Sequence, residues 1–155
     1  MIKNKILYIL SFVLFGCASI NCPTNSSGVV KGNNYSNCNM KQFDFSNMDI
    51  SSSNFNGSIL DNANFTGAFV TFSSFRNASL KNAIFSHANA QQSDFTNANL
   101  ESANLQSADL RGSNMTNADM YKAKGSGVKL YDAKLSNTKW VNGKICSSLS
   151  VGQCK

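Results

Sequence analysis

A period of five residues runs through this sequence from Met40 to Trp140 without slipping. Every fifth residue, here called the core position, is large and apolar in nineteen of twenty-one cases, the exceptions being Ala90 and Gly125. Two residues earlier, at what we call the small position, sixteen of twenty-one residues are Ala or Ser. Because a repeat of this kind must place equivalent residues in equivalent surroundings, it constrains the fold more than any other feature of the chain.

A period of five fits neither common secondary structure. On an α-helix, five residues advance the chain by about 500°, so the large residues would drift around every side. On a flat strand, an odd period would send them to alternate faces. The pattern predicts a chain that turns a corner in every quintet, with core and small positions facing a common axis and four corners closing one coil. Asn or Gly occupies the turn position, two residues after the core position, in twelve of twenty-one quintets, and both types tolerate corner dihedrals.

The repeat also has a recognisable consensus. The segment Ala98-Asn-Leu-Glu-Ser-Ala-Asn-Leu-Gln-Ser-Ala-Asp-Leu-Arg-Gly112 resembles the A-(D/N)-L-x-x pattern of the pentapeptide-repeat family. This resemblance implies an all-β fold, a right-handed quadrilateral β-helix of about five coils over residues 38–142. With a strand spacing of ~4.8 Å, such a rod is roughly 25 Å long.

A few quintets depart from the consensus. Phe43 and Met48 stand at small positions, which predicts a wider or irregular first coil. Ala90 and Gly125 remove a large core side chain, and Gly125-Ser-Gly127 predicts a local distortion before the last coil.

The first sixteen residues have the pattern of a signal peptide. Lys3 and Lys5 precede an apolar run over residues 6–15, which is too short for a bilayer-spanning helix of ~20 residues. The run ends in Leu14-Phe15-Gly16-Cys17, which resembles a bacterial lipobox, although Phe15 departs from its usual small residue. The resemblance implies lipidation of Cys17 and a membrane anchor in the cell envelope, at the outer membrane if the cell is Gram-negative. Ordinary cleavage near Ala18 or Ser19 is the alternative.

The remaining cysteines form two local pairs, one at each end of the exported chain. Assigning Cys17 to lipid leaves Cys22, Cys38, Cys146 and Cys154. In an oxidising compartment we expect Cys22–Cys38 and Cys146–Cys154 disulfides, whereas a cytosolic chain would keep free thiols. Zinc binding by all four is disfavoured by their separation. Residues 17–37 then form a lead-in segment. Residues 143–155 form a disulfide cap, similar to the W-x-x-G-x-x-C…S-x-G-x-C ending of exported pentapeptide-repeat proteins.

Positive charge is concentrated near the C-terminus. From Lys31 to Met120 the formal charge is −2, and from Tyr121 to Lys155 it is +6. Lysine precedes the core position in each of the last quintets, and the spacing predicts one lysine on every face of the final coil. The lysines concerned are Lys124, Lys129, Lys134 and Lys139, with Lys144 continuing the series. Such a ring is either a solvated edge that prevents aggregation or a contact for an anionic partner such as phospholipid, lipopolysaccharide or nucleic acid.

No constellation for catalysis, cofactor binding or metal binding stands out. His87 is the only histidine and falls at a turn position, and the acidic residues are scattered singly. Asp49 and Asp109 share a predicted face but are too far apart for paired acid–base chemistry. The outward Ile59, Phe69, Phe72 and Ile84 are either local packing residues or a partner surface.

The sequence therefore predicts a non-catalytic scaffold or binding module of the cell envelope, with partner and oligomeric state open. The family resemblance supplies an alternative, a DNA mimic that protects DNA gyrase. A DNA mimic needs a strongly negative rod, whereas a chain beginning at Cys17 carries a formal charge of +4. Nucleic acid is accordingly a disfavoured partner.

Overall fold

The computed structural model describes residues 22–155, and in that range the chain is a stack of β-bridges rather than of long strands. The bridges are parallel, recur every five residues and join residues twenty apart, from Asn34↔Asn54 to Asp119↔Lys139. Each bridge is accompanied by short backbone hydrogen bonds, such as Leu100 N–H to Asp119 O at 2.7 Å. A coil of twenty residues with four bridging faces is the architecture that the five-residue period predicts. The predicted signal peptide, residues 1–16, and Cys17 lie outside the described residues.

Every corner from Gln42 to Asn137 is made by a residue at the turn position with positive φ. Glycine takes this position at Gly57, Gly67 and Gly112, with φ between 65° and 67°. Elsewhere asparagine is the commonest occupant, as at Asn97 with φ 59°. Because the left-handed region is costly for most side chains, the frequency of Asn and Gly at this position follows from the corner itself.

The interior of the rod is filled as the sequence predicts. Core positions from Met40 to Met120 are at most 1% exposed. The small positions are also buried, for example Ala103 at 0%, apart from the half-buried Phe43, Met48 and Val128. Four large and four small side chains per coil form one continuous core, so neighbouring coils stabilise each other.

Two local predictions of irregularity are wrong, because the register of the coil is kept at both places. Phe43 and Met48 are half-buried and pack against the core, yet Asn64 N–H still donates to Phe43 O at 2.8 Å. Within residues 22–155 no parallel bridge joins an earlier coil to Asp44 or Asp49, which leaves more room for both side chains than inside the stack. At Gly125-Ser-Gly127 the register is also kept, since Ser107 N–H donates to Ser126 O at 2.9 Å.

Disulfides join the expected cysteines at both ends of the rod, Cys22 to Cys38 and Cys146 to Cys154. At the N-terminal end, a 3-10 helix at Ser26–Gly28 leads into the first bridge at Asn34, ahead of the predicted boundary at residue 38. Tyr35 takes the core position there. Its hydroxyl accepts a hydrogen bond from Val30 N–H at 2.6 Å, which fastens the lead-in to the first coil.

At the C-terminal end the chain reverses and forms a cap. Lys139 pairs antiparallel with Ile145, and Lys134 pairs antiparallel with Val151. Trp140 is partly buried against the core beneath this turn. The cap therefore lies where a further coil would begin, on two of the four faces.

Candidate interaction surfaces

The outward residue just before each core position, here called the face position, usually caps the next corner. Where it is Asn or Asp, its side-chain oxygen accepts a hydrogen bond from the backbone N–H two residues on. Asn104 does this for Gln106 at 3.1 Å, and Asn54 does it for Asn56 at 3.0 Å. This Asx turn explains why short polar residues occupy the position, since they hold the corner that the coil needs.

Seven face positions carry a side chain that cannot make this bond. Three of them are apolar and four are lysine, whereas the other fourteen are Asn, Asp or Ser. The seven residues are Ile59, Phe69, Ile84, Lys124, Lys129, Lys134 and Lys139. At these positions the corner lacks this side-chain contact, which is worth about 0.5–1.5 kcal/mol elsewhere in the rod.

The four lysines form what we call the basic collar. Their bridges, to Asn104, Asp109, Asn114 and Asp119, place one lysine on each face of the last coil. Lys139 donates to the carboxylate of Asp119 at 3.1 Å, and its ammonium lies 4.7 Å from the centre of the Tyr121 ring. The other three are exposed. The fold thus places the four lysines on four different faces, as their spacing in the sequence predicts.

Lys144 does not continue the collar, although its spacing predicted that it would. Asn142 accepts a hydrogen bond from Lys144 N–H at 3.0 Å, and Gly143 with φ 85° lets the chain turn back. Lys144 O then accepts from Trp140 N–H at 2.7 Å. Lys144 therefore belongs to the antiparallel cap and lies outside the five-residue register.

The cap exposes apolar side chains beside the collar. Leu149 is 82% exposed, and Ile145 and Val151 are more than half exposed. Tyr131, at a corner of the collar coil, is 75% exposed. The C-terminal end of the rod is therefore both basic and apolar.

The family model for pentapeptide repeats matches eight copies in this chain, over residues 36–67, 73–112 and 103–139. The chain belongs to the pentapeptide-repeat family. Among curated proteins, none matches it in sequence.

Solved pentapeptide-repeat structures share this fold at low sequence identity. A pentapeptide repeat protein (Rfr23) from the cyanobacterium Cyanothece 51142 is 20% identical with a TM-score of 0.58, over 69% of this chain and 90% of that one. A trypsin-treated variant of QnrB1, a plasmid-mediated fluoroquinolone resistance protein, is also 20% identical with a TM-score of 0.58. That match covers 75% of this chain and 59% of QnrB1. At this identity the likeness shows the fold alone.

The apolar departures in this pentapeptide-repeat protein do not form one patch along a face. Ile59 bridges Asn39, Phe69 bridges Asp49 and Ile84 bridges Asn64, so they lie on three faces. Phe72 differs from all of them because it stands at a turn position with φ 58° and is 63% exposed. A bulky side chain in this conformation is strained, and exposure gives no burial energy in return.

Two acidic residues on the body are held by basic neighbours. Lys31 donates to Asp49 at 2.7 Å, and this hydrogen bond is the main cause that lowers the pKa of Asp49 to about 2. Arg111 donates through two nitrogens to Asp109 and lowers the pKa of that carboxyl. Asp49 and Asp109 do share one column of bridges, with Phe69 and Asn89 between them.

Other functional groups of this repeat protein remain dispersed over the surface. His87 is exposed at a turn position, as predicted. Within residues 22–155, no group of His, Cys, Asp and Glu is arranged to hold a metal ion. No helix in the described part of the chain is long and apolar enough to cross a bilayer.

Proposed function

We propose that this pentapeptide-repeat protein is a lipid-anchored component of the bacterial cell envelope, with a rigid, non-catalytic solenoid that serves as a scaffold or binding module. The observation that carries the proposal is the way in which the five cysteines are distributed between disulfides and the lipobox-like sequence. Four of the five are paired in disulfides at the two ends of the rod, and the fifth, Cys17, completes a lipobox-like sequence. Disulfides persist in oxidising compartments, which supports export.

The proposed anchor would hold the rod by its N-terminal end. Cys22, five residues beyond Cys17, is bonded to Cys38 on the first coil. Five residues span at most ~18 Å, so a lipid on Cys17 keeps the first coil close to the bilayer. In a Gram-negative cell, Ala18 after Cys17 favours the outer membrane as the destination.

A scaffold role suits the proposed geometry, a right-handed coil of about five turns. The core is continuous from Tyr35 to Leu135, and each coil is bonded to its neighbours on every face. Such a rod presents fixed columns of outward side chains at a constant spacing.

The alternative, a DNA mimic that protects gyrase, rests on the family resemblance and on the fold likeness to QnrB1. A DNA mimic must present dense negative charge, whereas the last coil here carries the basic collar. Acidic residues of the body, such as Asp49, Asp94 and Asp109, are paired with cations. The charge of the surface therefore favours the envelope role.

The test is membrane fractionation of the full-length protein and of a Cys17→Ser variant, with and without globomycin, which blocks the lipoprotein signal peptidase. The proposal predicts that the native protein fractionates with membranes and that globomycin causes a precursor to accumulate. The Cys17→Ser variant has no thiol to lipidate, so it should remain an unprocessed precursor with or without globomycin. Native protein that is processed normally in globomycin would refute the lipid anchor.

A further inference from the structure

Basic residues of the body and of the C-terminal end differ in how their charge is balanced. Each of the five basic residues between Lys31 and Arg111 forms an ion pair: Lys31, Lys41, Arg76, Lys81 and Arg111. Of the seven lysines from Tyr121 onward, only Lys139 does so within the described residues. The C-terminal end thus carries cations that no carboxylate of the described residues pairs with.

The sequence places these cations where they cost a structural contact. In the coil beneath the collar, Asn104, Asn114 and Asp119 each accept the Asx-turn hydrogen bond of their corner. Lysine at the equivalent position has no acceptor and cannot form that bond. Two collar lysines, Lys124 and Lys134, also stand over neutral asparagines rather than carboxylates. An edge that only needed polarity would be served by Asn, as elsewhere in the rod.

The arrangement of the collar lysines favours a flat anionic partner over a linear one. The four lysines fall within less than one coil, so their backbone heights along the axis differ by less than ~4.8 Å. They also point from four different sides of the rod. A linear polyanion such as nucleic acid would reach one side, while a flat anionic surface perpendicular to the axis can engage all four.

The apolar tips complete the description of that surface. Leu149, Val151 and Ile145 lie in the cap beyond the last coil, and Tyr131 lies at its rim. Exposed apolar and aromatic side chains surrounded by lysine are the composition of segments that rest in the headgroup region of an anionic bilayer.

We infer that the C-terminal end of the rod docks end-on onto an anionic lipid surface, through the basic collar and the exposed cap residue Leu149. Resting on the proposed anchor at Cys17, this places lipid contacts at opposite ends of the rod. The protein would then connect the bilayer that holds its anchor to a second, anionic bilayer.

The experiment is vesicle bridging with the lipidated protein. The protein is first reconstituted into phosphatidylcholine vesicles, and attachment is measured by flotation. Vesicles that contain phosphatidylglycerol are then added, and clustering is followed by light scattering, with pure phosphatidylcholine vesicles as the lipid control. The inference predicts clustering only with the anionic vesicles, and its loss at high salt.

Two matched variants separate the collar from total charge. Lys124→Gln, Lys129→Gln and Lys134→Gln together should weaken binding to the anionic vesicles roughly a hundredfold, given the usual contribution of a lysine near such a surface. Lys31→Gln, Lys41→Gln and Lys81→Gln together remove the same charge from the body and should change binding less than about twofold, since those lysines lie away from the docking end. Leu149→Ser should weaken binding severalfold without altering the salt dependence.

The outcomes are distinguishable. Protein that fails to attach to phosphatidylcholine vesicles contradicts the anchor, and docking is then read directly from sedimentation of the unanchored protein with phosphatidylglycerol vesicles. Protein that attaches but does not cluster anionic vesicles overturns the inference. Equal losses in the collar and body variants overturn it as well, as would duplex DNA that displaces the vesicles and binds more tightly.

Discussion

Phe65 and Phe85, twenty residues apart in sequence, stack with their ring centroids 4.4 Å apart and their planes within 8°. Phenylalanine recurs every ten residues from Phe45 to Phe95, half a coil each time, so the rings form two stacks on opposite faces. Across the interior the stacks meet edge to face, as between Phe75 and Phe85 at 6.1 Å. Such pairs contribute about 0.5–1.5 kcal/mol beyond the burial of their area.

Phe75 is the residue on which this arrangement is tested most simply. It is fully buried and stacks on Phe55 and Phe95 at 5.0 and 4.9 Å. Phe75→Ala should lower the free energy of unfolding by about 3–5 kcal/mol, measured by chemical denaturation. Phe75→Leu should cost less because it keeps apolar volume and loses only the stacking. A control, Tyr131→Ala, removes an exposed ring and should be nearly neutral; equal losses for Phe75→Ala and Tyr131→Ala would contradict the stacked core.

Ala103 tests the narrow interior at the small position. Its side chain is 0% exposed and faces the core of the central coils. Ala103→Leu should overpack this space and destabilise the fold by about 1–3 kcal/mol or more, seen as a lower melting temperature. The matched variant Gln106→Leu adds the same side chain at an exposed position and should melt near the wild type. A wild-type melting temperature for Ala103→Leu would be incompatible with this packing.

Phe72 offers a substitution that should stabilise the protein. Its φ of 58° is unfavourable for a bulky side chain, and the ring is mostly exposed. Phe72→Asn should therefore raise the free energy of unfolding by about 0.5–1 kcal/mol. The converse change, Asn82→Phe at an equivalent turn position with φ 56°, should lower it by a similar amount. If Phe72→Asn is less stable than the wild type, as Asn82→Phe should be, the backbone at Phe72 is not strained.

The Lys31–Asp49 pair predicts a defined acid dependence. The folded-state pKa of Asp49 is about 2, below its ordinary value of 3.8. Because the pKa is depressed in the folded state, the stabilisation is complete above the unfolded value and is lost as the pH falls through about 2. Asp49→Asn should show a shallower loss of stability with acid than the wild type, and Lys31→Gln should raise the pKa of Asp49 in an NMR titration. An ordinary pKa for Asp49 in the wild type would contradict the pairing of Asp49 with Lys31.

The fold was accessible from sequence because a strict period leaves few geometries open. The burial of residues such as Leu100 and Ala103 follows from their place in the quintet alone, and so do the positive φ values at corners such as Asn97. Cooperation between neighbours was harder to foresee. The alternation of Phe65 and Phe75 was visible in the sequence, but the stacks require the twenty-residue coil to be known first.

The ends were the least predictable part of the rod. Tyr35 occupies a core position ahead of the repeat that the sequence analysis recognised. Its role could not be predicted, because only the bridge at Asn34 shows that the coil has already begun there. Lys144 keeps the lysine spacing yet leaves the register, since Gly143 turns the chain into an antiparallel cap. Periodicity fixes residues that have a coil on both sides, whereas the ends depend on particular turns.

The sequence predicts where the surface residues lie but not which of them are paired or what they bind. Sequence spacing placed the collar lysines on separate faces, and the structure adds that the body cations are paired while most of the collar is not. The capping role of Asn104 and its equivalents was missed. Its only signal in the sequence was the frequency of Asn and Asp before the core position, and that frequency makes the substituted positions stand out.

Intact mass spectrometry of the mature protein purified from membranes is the decisive measurement for a lipid-anchored, disulfide-closed rod. We predict a chain that begins at Cys17, carries the added mass of a lipid group on that residue, and lacks the hydrogens lost in forming Cys22–Cys38 and Cys146–Cys154. A mature chain that starts after Cys17, or one in which those four thiols are free, would contradict an anchored rod closed by disulfides at both ends.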